Sequence, residues 1–133
     1  MNSQDHIKIG LERISRLDYY GAINAFTASI KIDPNNPIPY NYRGYCKNKI
    51  GSISYAIQDL NKAIEIDSEY GEAYRNRSYS KIQVGYSQSA IDDCNKSLKI
   101  NSNCYVSYYL RGVAKTQLKL FIAAKLDFDK SIN

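Results

Sequence analysis

The chain has 133 residues and a mass of 15.1 kDa, which suits one domain with a useful core. Its net charge of +5 is too mild to indicate a nucleic-acid-binding surface unless the basic residues cluster on one face. The longest apolar runs are only a few residues, far short of the roughly 20 that a spanning helix needs, so we expect no membrane association.

The cysteine content indicates a reducing compartment. Cys46, Cys94 and Cys104 are odd in number and lack C-x-x-C spacing, which argues against a disulfide framework and a zinc site. Residues 1–20 lack the basic flank and apolar run of a signal peptide. We therefore expect a cytoplasmic chain.

A period of 34 residues runs through the sequence. Counting position 1 from Ser3 gives the repeats 3–36, 37–70, 71–104 and 105–133. Position 20 is alanine in every repeat, and position 8 is glycine or serine. These small residues are Ala22, Ala56, Ala90 and Ala124 at position 20, and Gly10, Gly44, Ser78 and Gly112 at position 8.

Each repeat predicts two helices of about 14 residues, because apolar and small residues recur at three- and four-residue steps on both sides of a break. The first repeat ends at DPNNP (33–37), and the second turns at Gly51 and ends at DSEYG (67–71). The third turns at Gly85 and ends at NSNC (101–104), and the fourth follows it. The small residues at positions 8 and 20 let the two helices of a repeat approach closely. The sequence therefore predicts an all-α chain of helix hairpins.

This pattern resembles the tetratricopeptide repeat (TPR), a helix–turn–helix unit of 34 residues, over essentially the whole chain. The resemblance implies a right-handed superhelical solenoid of antiparallel hairpins, forming a single domain over residues 1–133 with a truncated last repeat. The chain departs from the family pattern in carrying tyrosine at position 4 and basic residues at positions 7 and 11. The proline usual at position 32 occurs only as Pro34.

The basic residues at positions 7 and 11 return together with an aspartate at position 23. The first repeat lacks this combination and has Ile9, Arg13 and Ala25 instead. The set, here called the ladder, consists of Arg43, Arg77 and Arg111, Lys47, Lys81 and Lys115, and Asp59, Asp93 and Asp127. Two interpretations are open: an ion-pair network between the helices of each hairpin, or a basic face for an acidic ligand.

No catalytic motif is recognisable. The single histidine, His6, stands where the other repeats have tyrosine, so we interpret it as a packing residue. Phosphate-binding loops, metalloprotease and esterase motifs and paired-cysteine metal spacings do not occur. We expect no enzyme activity, no cofactor and no metal site.

The resemblance also implies a binding surface. In this family, side chains of the first helix of each repeat line a concave groove. Carried over, the peptide-binding residues are Asn41, Tyr45, Asn48, Lys49, Arg75, Tyr79, Gln83 and Tyr109, with Ile7, Leu11 and Ile14 as an apolar N-terminal part.

One well-known function of the family can be tested residue by residue. Co-chaperones of this kind hold a C-terminal carboxylate with lysine, asparagine and arginine at set positions. Those positions are here Ile7, Leu11, Tyr42, Glu72 and Asn76, and none matches. We therefore expect no chaperone partner of the carboxylate-clamp type.

The sequence favours a non-enzymatic adaptor that binds a protein segment in its groove. RNA binding by a helical-hairpin array is an alternative, disfavoured because the basic residues have acidic neighbours at a matching period. Self-association is a third: Ile122, Leu126, Phe128 and Ile132 remain apolar at the C-terminal end. Lys125 replaces an isoleucine of the other repeats there, so we expect the self-association to be weak.

Overall fold

The computed structural model describes residues 1–132 and places them in eight helices, with no strand in that range. The helices are α1 (Ser3–Ser15), α2 (Tyr19–Ile32), α3 (Pro37–Lys49), α4 (Ile53–Ile66), α5 (Gly71–Gln83), α6 (Ser87–Ile100), α7 (Tyr105–Gln117) and α8 (Phe121–Ile132). Consecutive helices pair as hairpins, one hairpin for each 34-residue repeat. The prediction of an all-α chain of helix hairpins is confirmed.

The helices divide between two compact units, Met1–Ser68 and Glu69–Asn133, and each unit holds two hairpins. In the N-terminal unit α2 also packs against α3, and in the C-terminal unit α7 packs against both α5 and α6. No helix in residues 1–132 combines the length and the apolar character needed to cross a membrane.

Helices α1, α2 and α3 of the N-terminal unit each begin at a residue whose side chain caps the helix. Asn2 and Asp5 form a reciprocal capping box at α1, in which each side chain accepts a hydrogen bond from the other residue's backbone N–H. Asp18 caps α2, and Asn36 caps α3, whose first residue is Pro37. These local signals fix where the hairpins begin.

Each unit has its own apolar core between its helices. The core of the N-terminal unit centres on Ile7, Ala22, Phe26 and Cys46. The core of the C-terminal unit centres on Ile82, Ala90, Ile91, Cys94, Leu110 and Ala114. Burial raises the pKa of the Cys46 thiol to about 12 and that of the Cys94 thiol to about 11, so both behave as packing residues.

The small residue at position 8 packs against the residue at position 24 of the same hairpin. Where the side chain at position 24 is large, position 8 is glycine. A Cβ added to Gly112 would lie 2.6 Å from the ring of Phe128, and one added to Gly44 would lie 2.7 Å from Leu60 Cγ. The third repeat carries Ser78 here, opposite the small Cys94, and the Ser78 hydroxyl donates a hydrogen bond to the Arg75 carbonyl at 2.6 Å. Glycine is therefore required only where the opposite side chain is large.

All four hairpin turns place their position-15 residue in the left-handed region. Gly51 and Gly85 adopt φ values of +85° and +84°, as the glycines predict, whereas Leu17 and Lys119 adopt +60° and +62°. A non-glycine residue in this region costs about 1–2 kcal/mol. The first and fourth hairpins turn without glycine despite this cost, so the sequence does not mark the positions of their turns.

Candidate functional site

The ladder forms three ion-pair triads of the same geometry. In each one, the aspartate carboxylate accepts a two-pronged hydrogen bond from the arginine and a further bond from the lysine four residues later. The arginine Nη2–Oδ1 distance is 2.7 Å and the lysine Nζ–Oδ2 distance is 2.8 Å in every triad. The triads are Arg43, Lys47 and Asp59; Arg77, Lys81 and Asp93; and Arg111, Lys115 and Asp127.

The ladder arginines also bind side chains outside their own triads. Arg43 Nη1 donates to Thr27 Oγ1 of the preceding hairpin at 3.1 Å, and Arg111 Nη1 donates to Asn95 Oδ1 at 2.9 Å. Each ladder arginine further lies over the position-4 tyrosine of its own helix, as Arg111 does over Tyr108 at 5.4 Å. One arginine therefore ties three helices together within a unit.

These contacts decide between the two interpretations of the ladder. The aspartates are almost fully buried, and the arginines and lysines are less than about a quarter exposed, so the charges satisfy one another inside the hairpins. The ladder belongs to the structural frame. Six bases set against three aspartates leave +3 of the chain's net +5.

The third triad makes stability depend on pH. Burial by itself raises the pKa of Asp127, but hydrogen bonds from Arg111 and Lys115 outweigh burial and lower it. A carboxyl with a lowered folded-state pKa stabilises the fold above its unfolded pKa, and this stabilisation is lost as pH falls through the folded value.

We therefore expect the stability difference between the wild type and Asp127→Asn to be constant above about pH 5 and to shrink below about pH 4. Urea denaturation of both proteins at about pH 6 and about pH 3 measures this difference. An equal difference at the two pH values would contradict the assignment of the pKa shift to the triad.

The first helices of the N-terminal unit, α1 and α3, carry side chains that take no part in the ladder. Tyr45 is half-buried, packs edge-on against Tyr19 at 6.4 Å, and has the ammonium of the exposed Lys49 at 5.4 Å from its ring. Leu11, at the same repeat position as Tyr45, is 40% exposed. Asn41 and Asn48, which the sequence also assigns to the binding surface, are buried.

The first helices of the C-terminal unit, α5 and α7, present a second such face. Tyr79 and Val113 are half-buried and pack against the core, Tyr109 is exposed beside Phe128, and Gln83 is exposed at the end of α5. Each unit thus carries one aliphatic side chain and one tyrosine at position 9 of its two repeats.

Two polar side chains of the C-terminal unit, Gln117 and Arg75, are engaged in internal contacts, and Arg75 is one of the residues that the sequence assigned to the binding surface. Gln117 accepts a hydrogen bond from Ser87 Oγ at 2.7 Å and donates one to the Ile82 carbonyl at 3.3 Å. Arg75 pairs with Glu72 at 3.6 Å and donates to Cys104 Sγ at 3.7 Å. These contacts hold α5, α6 and α7 in place, so the two side chains serve the frame.

Within residues 1–132, no three histidine, cysteine, aspartate or glutamate side chains converge as a metal site would require. His6 is half-buried in α1.

No protein-family model matches the chain. Solved structures do, at high structural similarity. MamA is 22% identical, with 98% of this chain and 77% of MamA covered and a TM-score of 0.88. A thermophilic TPR protein of Thermus thermophilus is 16% identical, with 98% of this chain and 73% of that protein covered and a TM-score of 0.89.

A third structure is the first TPR domain of Spaghetti (RPAP3), bound to the HSP90 peptide SRMEEVD. It is 19% identical, with 89% of this chain and 94% of that domain covered and a TM-score of 0.86. The chain has the TPR fold. These likenesses confirm the fold class that the repeat pattern predicts.

The TPR hairpin explains one residue that sequence reasoning misplaced. Phe128 was expected at the exposed C-terminal end, but position 24 points into the hairpin, and Phe128 packs there against Gly112 and Tyr109. Ile122 and Leu126 are exposed, at positions where the other hairpins have exposed residues as well. Alignment of the four second helices would have revealed both placements.

Proposed function

We propose that this TPR chain is a non-enzymatic cytoplasmic adaptor that binds a protein segment on the first helices of its hairpins. The observation that carries the proposal is the separation of roles on these helices. The ladder pairs its basic side chains with buried aspartates inside the hairpins, and the position-9 side chains are left as partly exposed apolar surface. These are Leu11, Tyr45, Tyr79 and Val113.

The chemistry of these faces suits a peptide. Tyrosine offers a large apolar ring with a polar tip, and it loses little conformational freedom on binding because it has few rotatable bonds. Gln83 adds an amide and Lys49 a cation at the edge of each face. Amide groups can satisfy the backbone of an extended or helical segment.

The proposal does not extend to the HSP90 peptide bound by the RPAP3 domain. Ile7 and Leu11 offer no hydrogen-bond donor to a carboxylate, and Glu72 would repel one. We propose instead a segment with apolar or aromatic anchors. The peptide SRMEEVD then serves as a negative probe.

The experiment is a selection of peptides from a displayed random library on the immobilised protein, followed by fluorescence-anisotropy titration of a selected peptide. Tyr45→Ala combined with Tyr79→Ala is expected to weaken binding at least about tenfold, because buried aromatic anchors carry most of the affinity of such contacts. The matched control is Tyr20→Ala combined with Tyr55→Ala, two exposed tyrosines on the second helices α2 and α4, which is expected to bind normally.

Circular dichroism of both double variants checks that the helices persist. Equal binding by the wild type and the Tyr45→Ala, Tyr79→Ala variant would overturn the proposal. Tight binding of SRMEEVD would overturn its exclusion of the clamp-type ligand. A labelled single-stranded RNA is the third probe, and binding of the RNA in place of any peptide would favour the RNA-binding alternative.

A further inference from the structure

The outer face of the last helix differs from its counterparts in the other hairpins. Position 18 is exposed in all four second helices, and so is position 22. The residues there are Tyr20, Ser54, Gln88 and Ile122 at position 18, and Asn24, Gln58, Asp92 and Leu126 at position 22. Only α8 has an aliphatic side chain at both, with Ile122 84% and Leu126 62% exposed.

These two residues belong to a continuous stripe on α8. Ile122, Lys125, Leu126, Asp129 and Ile132 follow one another at three- and four-residue steps, so they share one face of the helix, here called the α8 stripe. Ile132 is 82% exposed, and the side chains of Lys125 and Asp129 are 77% and 54% exposed. Helix α8 packs chiefly against α7, which lies on its other side.

The α8 stripe is complementary to itself. Two copies of α8 that run antiparallel about a twofold axis at the level of residue 127 bring each residue opposite the one equally far on the other side of the axis. Ile122 then faces Ile132 of the second copy, and Lys125 faces Asp129 of the second copy. Leu126 lies next to the axis in both copies, so apolar contacts and two ion pairs form together.

Asp129 occupies a repeat position that can accept a hydrogen bond from a cationic side chain of a neighbouring helix. In the first and third hairpins the residue at this repeat position accepts a hydrogen bond from an arginine of the next hairpin: Thr27 from Arg43, and Asn95 from Arg111. In α8 the carboxylate is bonded to Lys125 of its own helix at 3.0 Å. Exchange of that lysine for the one of a second copy keeps every charge paired.

Lys125 also selects the geometry of the contact. Its counterparts are Ile23, Ile57 and Ile91, so continued head-to-tail stacking on α8 would bury a lysine at a place where the others carry an isoleucine. An antiparallel α8 pair leaves the ammonium at the edge beside a carboxylate.

We propose that the chain forms a twofold-symmetric dimer through the α8 stripe, paired antiparallel with Lys125 opposite Asp129 of the second copy. A single 12-residue helix covers less area than the roughly 800 Å² per partner of a standard interface, so the dimer is weak and reversible. The contact goes beyond the proposed peptide-binding function and uses none of its residues.

Sedimentation velocity over a wide concentration range tests the dimer. We expect a monomer–dimer equilibrium that Leu126→Asn abolishes, since that change gives α8 the residue of the first repeat at this position. Lys125→Glu alone and Asp129→Lys alone are each expected to weaken dimerisation about tenfold or more, because each sets like charges opposite one another. The double variant is expected to restore it to within about threefold of the wild type.

Lys99→Glu, on an exposed site of α6, makes the same charge change as Lys125→Glu and is expected to leave the dimer intact. A monomer at the highest concentration overturns the proposal. A dimer that survives Leu126→Asn, or one that the double charge swap fails to restore, also overturns it. Peptide binding is measured on the monomeric Leu126→Asn variant as well, so that the peptide-binding proposal is tested independently of the dimer.

Discussion

Asp93→Ala is expected to lower the free energy of unfolding by about 3 kcal/mol, since removal of one partner leaves buried charges uncompensated. Asp93 is almost fully buried, with its carboxylate bound by Arg77 at 2.7 Å and by Lys81 at 2.8 Å. Without it, both cations lose the carboxylate that balances their charge, and the exposed fractions of their own side chains are only 18% and 16%. The residual exposure places the expected loss at the lower end of the range for buried pairs.

The neighbouring residue supplies the control for this variant. Asp92 is exposed, and its carboxylate accepts only a 3.3 Å bond from Gln88 among the contacts that the structure gives it. Asp92→Ala is expected to change stability by less than about 0.5 kcal/mol. Urea denaturation followed by circular dichroism measures both variants. If the Asp93→Ala protein is as stable as the Asp92→Ala protein, the ladder charges do not stabilise the fold, and the acidic-ligand interpretation is open again.

Gly10→Ser is expected to destabilise the N-terminal unit by about 2 kcal/mol, the usual magnitude for an overpacked core. A Cβ on Gly10 would lie 2.5 Å from Cζ of Phe26, a fully buried ring. The third repeat already contains serine at this position, opposite Cys94. The clash should therefore depend on the size of the opposite side chain.

A double-mutant cycle with Phe26→Cys measures that dependence. Phe26→Cys alone should cost about 3 kcal/mol through the cavity it leaves. Combined with Gly10→Ser it reproduces the native Ser78–Cys94 pair, so the double variant should be more stable than the sum of the single losses by about 1 kcal/mol. Strict additivity would show that positions 8 and 24 do not pack as a pair.

The sequence alone predicts the hairpins because the repeat period is carried by residues with a clear physical role. The invariant alanine at position 20 and the small residue at position 8 mark where two helices approach. The helix lengths of 12 to 14 residues match the prediction of about 14. That the four repeats form one domain stays a prediction.

The ladder was predictable for a similar reason. Its three residue types appear together in three repeats and are absent together from the first, which indicates that they contact one another. Their distances in the structure confirm the ion-pair interpretation. What the sequence could not supply is the degree of burial, on which the energetic importance of the triads depends.

The candidate binding faces were less predictable. The eight residues were assigned by resemblance to the family, and their role in binding stays a prediction. Burial of Asn41 and Asn48 follows from local packing, which the repeat pattern does not encode at these variable positions. Phe128 was misplaced because its assignment to the exposed end overlooked that position 24 faces the hairpin interior.

The central claim is that the first helices bind a protein segment while the ladder only holds them in place. The most direct measurement is a titration of a library-selected peptide into the ¹⁵N-labelled protein, followed by amide chemical shifts. The claim predicts saturable shifts concentrated on α1, α3, α5 or α7 around Tyr45 and Tyr79, with small changes on the second helices. Shifts concentrated on α2, α4, α6 or α8, with the first helices unchanged, would contradict it.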